Sequence, residues 1–119
     1  MAEVIQITQQ RTFCLEEAQK LLPVIRKITK EAVEQFVFLE EKLKHFEKDQ
    51  AKWKEVELEI SDLLNKWSEK IIKLGCHPKG IWLVDFDNGE GYYCWRYDED
   101  RIEYFHGYQE GYGGRTTIQ

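Results

Sequence analysis

Two apolar stripes at helical spacing constrain this chain more than any other feature. Ile25, Ile28, Ala32, Phe36, Leu39, Leu43 and Phe46 recur at steps of three and four between Val24 and Phe46; Trp53, Val56, Ile60, Leu63, Trp67, Ile71 and Leu74 do the same up to Leu74. Such a period places one buried face on an amphipathic α-helix, here close to the heptad seam of paired helices. Matched lengths on either side of Lys48-Asp49-Gln50 suit an antiparallel hairpin, with Asp49 as N-cap of the second helix. Because neither glycine nor proline marks that turn, one continuous helix that dimerises is the competing arrangement. Val33, Val37, Phe38, Leu58 and Ile72 widen the stripe beyond a two-helix seam, so a sheet or another subunit must meet the hairpin.

The ends of the helices are also written locally. Pro23 lacks an N–H and crowds the preceding turn, which predicts a kink, or a short helix from Leu15 to Leu22 ahead of the long one. Phe13-Cys14-Leu15-Glu16-Glu17 has the capping-box spacing, with a weak acceptor, Cys14, at the cap. Gly75 is the stop of the second helix and Pro78 prevents its resumption.

After Gly80 the apolar period falls to two. Ile81 to Asp87, Glu90 to Tyr97 and Ile102 to Gly107 read as three strands of an antiparallel meander, turning at Asn88-Gly89 and at Asp98 to Arg101. A two-residue first turn pairs Phe86 with Gly91, Val84 with Tyr93 and Trp82 with Trp95; a four-residue second loop pairs Tyr97 with Ile102 and Trp95 with Tyr104. In that register Trp95 and His106 share one face, and Cys94 and Arg96 share the other. The expected fold is therefore α+β: a long antiparallel helical hairpin, about 15–74 and kinked near Pro23, packed on a three-stranded antiparallel β-meander with a glycine-aromatic tail, about 80–119. The 119 residues suffice for a single domain, 1–119, with one core.

Charge and composition narrow the function. Residues 1–79 are balanced, so the net charge of −5 belongs to residues 80–119, whose cations are Arg96, Arg101 and Arg115. Lysines interleaved with glutamates along helices form an ordinary solvated face, which disfavours nucleic acid as a partner. No apolar run is long enough for a membrane span, and no cationic start with an apolar h-region opens the chain; the expectation is a cytoplasmic protein without membrane contact. Cys14, Cys76 and Cys94 make an odd set without a CxxC, which signals neither a disulfide framework nor a ribbon-type zinc site.

The string Phe13-Cys14-Leu15-Glu16-Glu17-Ala18 with Leu21-Leu22-Pro23, then Gly75, Lys79-Gly80, Asp85-Phe86, Cys94-Trp95-Arg96, Glu99, Ile102, Phe105-His106 and Gly111-Tyr112-Gly113-Gly114-Arg115 resembles domain of unknown function family 2203, a group of small prokaryotic proteins. The resemblance covers nearly the whole chain and is most specific in Cys94-Trp95-Arg96 and the terminal glycine-rich run ending at Arg115. It implies the fold and the place of a site, and no reaction.

Each chemical constellation has a plain structural counterpart. Cys94 with His106 suggests a thiol and its base, but the expected register sends them to opposite faces, leaving Cys94 an apolar buried thiol. Cys76, His77, Cys94 and His106 carry zinc-ligand chemistry at poor spacing, so no metal and no cofactor is expected. Asp85, Asp87, Asp98, Glu99 and Asp100 read as turn formers before metal carboxylates. Arg96 either pairs with Glu103 or Asp85 across strands or meets an anion, and Arg115 can be brought back onto the sheet by the glycines before it. The resulting reading is a non-enzymatic binding module in which Trp95, Arg96, Glu99, His106 and Arg115 line a site for a small anionic ligand or a protein partner. One alternative is a hydrolase using His106 and Glu99 as acid and base with Arg96 and Arg115 as anion stabilisers. Another is an assembly protein that forms a homodimer through its helical hairpin.

Overall fold

The computed structural model describes residues 11–119, so the reading of the first ten residues as carrying no leader lies outside the described part. Two long helices come first. Helix α1 spans Leu15–His45 and α2 spans Gln50–Lys73, folded back on each other as the expected hairpin. At the start of α1 the Glu17 carboxylate accepts the Cys14 N–H at 2.8 Å, a contact that holds its pKa below the usual carboxylate range. Asp49 caps α2, accepting from the Lys52 N–H at 3.2 Å. Helix α1 continues as one helix through Pro23, so of the two expectations, a kink or a short separate helix from Leu15 to Leu22, the separate helix does not form. Pro23 offers no N–H to the Gln19 carbonyl, but it lies on the exposed face of the helix, where water can satisfy that carbonyl.

Helix α2 ends in a Schellman arrangement: the Gly75 N–H donates to Ile72 O at 2.9 Å and the Cys76 N–H to Ile71 O at 3.2 Å. Gly75 stands at φ +87°, a conformation that favours glycine, and a Cβ there would also press on the Arg11 side chain, 2.6 Å from its Cδ. Among the described residues no helix is long and apolar enough to cross a membrane.

The sheet is an antiparallel meander of five strands rather than three, in sequential order: β1 (His77–Pro78), β2 (Leu83–Asp87), β3 (Tyr92–Arg96), β4 (Tyr104–His106) and β5 (Thr116–Thr117). The two additions are dipeptides at the edges, too short to show a period; β5 arises because a 3₁₀ turn at Tyr112–Gly114 returns the tail to β4. Trp82 falls outside β2, at φ +65°, with its ring edge-on to Trp67 and Phe36.

Both hairpin registers differ from the expected ones. Phe86 pairs with Tyr93 and Val84 with Trp95, because the Asn88 side chain accepts from both Glu90 N–H and Gly91 N–H at 2.8 Å and closes a four-residue loop, 88–91. The next pair is Cys94 with Tyr104 and Tyr92 with His106, shifted by one residue from the expected pairing. Ile102 causes this shift. Its N–H donates to the Gln19 side-chain amide and its C=O accepts from it, both at 3.0 Å, so Ile102 leaves the ladder and enters the core against α1. Gly91 permits the close approach, since a Cβ there would lie 2.7 Å from the His106 carbonyl oxygen. A one-residue slip exchanges faces along the whole of β4.

The inner face of the sheet carries Val84, Phe86 and Trp95 into a core with Phe13, Leu22, Ile25, Trp67 and Ile71. Thr29, fully buried in α1, accepts the Trp67 indole N–H at 3.0 Å and ties the helices together within that core. Toward the hairpin turn the sheet is absent. Leu39 and Val56 are buried there outside the main cluster, while Val37, Phe38 and Leu58 are exposed and Val33 is half-buried.

Candidate functional site

The register places one row of side chains across the outer face of all five strands: His77, Asp85, Cys94, Tyr104 and Thr117. A second row, Asp87, Tyr92 and His106, runs beside it. Cys94 and His106 therefore share a face. Their sulfur and imidazole, together with the Asp85 carboxylate, lie within 4.8 Å of one another, and all three residues are buried. Strand β2 places Asp85 between the core residues Val84 and Phe86, so the alternation of the strand turns its carboxylate to the outer face while the polypeptide around it remains buried.

His106 Nε2 lies 3.0 Å from Asp85 Oδ2, and its Nδ1 lies 2.9 Å from the Gly107 carbonyl oxygen. A carbonyl only accepts, so Nδ1 carries a hydrogen, and one further proton is shared between Nε2 and Asp85. Burial pushes the Asp85 carboxyl above the usual range, opposed by His106, by the Cys94 thiol and by Lys79. Asp85 Oδ1 is buried with no hydrogen-bond partner. Burial and the adjacent Asp85 push the Cys94 thiol up to about 12, with Arg115 opposing them. This cluster is roofed by aromatic rings: Tyr92 packs against His106 and His77 with centroids 5.5 and 5.4 Å away, and Lys79 Nζ lies 4.9 Å above the Tyr92 ring.

The five residues singled out from the sequence are not assembled into one open pocket. Trp95 is fully buried on the inner face, its indole N–H donating to the Glu99 carbonyl oxygen at 2.8 Å. Arg96 is exposed at the end of β3, and its guanidinium makes no hydrogen bond or ion pair among the described residues. Glu99 and Arg115 are brought together. The Arg115 fork donates to the two Glu99 carboxylate oxygens at 3.1 and 2.7 Å, and its plane lies 3.9 Å from the Tyr104 ring centre and 4.2 Å from that of Tyr112. The glycines do bring Arg115 back to the sheet, as expected, and there it clamps Glu99. His106 and Glu99, offered as acid and base, have their side-chain acceptors and donors taken by different partners.

From the sequence Asp85 is a candidate metal carboxylate set aside as a turn former. A carboxylate alternating with Val84 and Phe86 in mid-strand was the available signal, outweighed by its proximity to the Asn88-Gly89 turn. The separation of Cys94 from His106 followed from the register, and fell with it.

Fold and site together define an α+β protein in which a helical hairpin backs a short meander, and the meander's outer face encloses a buried Asp-Cys-His cluster. The chain belongs to the family of uncharacterized conserved proteins designated DUF2203, whose model matches residues 11–118. Among curated proteins and among solved structures, nothing matches this chain.

Proposed function

We propose that this protein acts by binding rather than by catalysis, and that its principal binding surface is the helical hairpin, occupied by a second copy of the chain. The observation that carries this reading is a groove of about 980 Å³ lined only by residues of α1 and α2, with Ala32, Leu39, Leu63 and Trp67 in its wall and Phe38 on its rim. Phe38 is 67% exposed, an aromatic side chain beside a groove able to receive one. The groove's charged lining is mixed, Glu31, Glu34, Glu59 and Asp62 with Lys66 and Lys70, and Asp62 already pairs with Lys66 at 3.0 Å, so the apolar wall carries the contact. A two-fold axis across the middle of the groove would set the Phe38 of each copy against the apolar wall of the other, the self-complementarity that an isologous interface requires. Val37 and Leu58 are exposed too but do not line the groove, so the contact centres on Phe38.

The sheet face supports the earlier ligand-binding reading less well, because Trp95 is in the core and Arg115 is occupied by Glu99; Arg96 is the donor that remains. The hydrolytic reading lacks a free base, since both His106 nitrogens face protein acceptors. Light scattering at high micromolar concentration is expected to give a dimer mass, and Phe38→Glu to shift it to monomer with unchanged helical circular dichroism. A monomer mass for the unaltered protein under those conditions removes this reading.

A further inference from the structure

We propose that Asp85, Cys94 and His106 form a site for one divalent transition-metal ion of borderline softness, with zinc the best match to the donor set. One carboxylate oxygen, one sulfur and one imidazole nitrogen within 4.8 Å of one another are three ligand types that zinc accepts together. Bond lengths of about 2.0–2.3 Å place tetrahedral donors about 3.3–3.8 Å apart, so closure around an ion requires side-chain movements of about 1 Å. Hard ions such as magnesium and calcium prefer sets made of oxygen, which separates them from a site holding a thiolate and an imidazole.

Two further observations point to an ion. Asp85 is 2% exposed, yet its Oδ1 has no hydrogen-bond partner, an arrangement that costs free energy unless a donor or a bound cation satisfies it. His106 is already oriented as a ligand: its Nδ1–H is directed at the Gly107 carbonyl at 2.9 Å, which leaves Nε2 as the metal-facing nitrogen and fixes the ring. The Arg115 guanidinium, held by Glu99, lies 4.0 Å from the Cys94 sulfur at the edge of the cluster.

Binding is balanced in charge and involves no electron transfer. In the empty cluster Asp85 and His106 share one proton and Cys94 holds another. Uptake of the ion releases both, leaving a carboxylate, a thiolate and a neutral imidazole whose two negative charges match the metal. Three protein ligands leave a fourth position for water. This proposal is independent of the hairpin interface.

The test is titration of chelator-treated full-length protein with Co(II) as a spectroscopic substitute for zinc. The expected result is a thiolate-to-cobalt charge-transfer absorption that saturates at one equivalent and is bleached by Zn(II), with proton release measured calorimetrically in buffers of different ionisation enthalpy. Cys94→Ser should abolish the band, Asp85→Asn should weaken Co(II) binding by about tenfold or more, and Cys14→Ser, at an exposed thiol, should change neither. If Cys94→Ser does not retain native circular dichroism, Asp85→Asn and His106→Gln decide the matter through affinity. No band in folded wild-type protein, a band that survives Cys94→Ser, or affinity unmoved in both other variants overturns the proposal.

Discussion

The two terminal nitrogens of Arg115 meet Glu99 at 3.1 and 2.7 Å while Tyr104 and Tyr112 stack over the same guanidinium. A planar fork forms both hydrogen bonds at once, and the side chains of the pair are only 11% and 21% exposed, so solvent screening leaves much of the interaction in place. Lysine retains the charge but neither the bidentate geometry nor the planar stacking. Arg115→Lys is therefore expected to lower unfolding free energy in urea by about 1–3 kcal/mol. A loss below about 0.5 kcal/mol places the pair with ordinary surface ion pairs. At this scale Arg115 and Glu99 were visible in the sequence as unusual charges among aromatics, but their mutual pairing was not. Residue type records what a side chain can donate, and the partner that accepts depends on where the glycine-rich run before it turns.

At the scale of elements, the helices were the most legible part and the loops between strands the least. A period of three and four repeated across each stripe is redundant information, and Asp49 and Gly75 mark boundaries by local chemistry alone. The seam they produce includes a buried polar contact that no periodicity announces, Trp67 Nε1 to Thr29 Oγ1 at 3.0 Å. Thr29→Val preserves shape and removes the acceptor of that indole N–H, so a loss of about 1–3 kcal/mol is expected, read from the urea midpoint with unchanged m-value. A neutral substitution means the indole finds another acceptor. The strand register was decided by particular side chains distant in sequence. Gln19 on α1 holds the backbone of Ile102, and that contact moves β4 by one residue relative to β3 and turns His106 toward Cys94 and Asp85.

For the whole molecule, the thiols report on the core. Cys14 is exposed, whereas Cys76 and Cys94 are buried, and burial pushes the Cys76 thiol up to about 12. Iodoacetamide under native conditions is expected to modify Cys14 alone, and denaturation to expose all three, counted by intact mass. Rapid native labelling of Cys76 contradicts the packed core. Because a buried thiol binds its proton more tightly folded than unfolded, where thiols ionise at about 8.5, its contribution to stability is present below that pH. Stability measured by urea unfolding should accordingly fall as pH rises from about 8.5 toward about 12, and Cys76→Ala should flatten that decline. The helical hairpin, its caps, the antiparallel meander and the acidic character of the C-terminal third were determined by the sequence itself, because periodicity, turn chemistry and charge act within a few residues. Only the tertiary structure decided that Trp95 enters the core, that Arg115 closes on Glu99, and that Asp85, Cys94 and His106 meet. The last of these rests on a one-residue choice of register between β3 and β4, which contacts between residues 19 and 102 favour and no local pattern encodes.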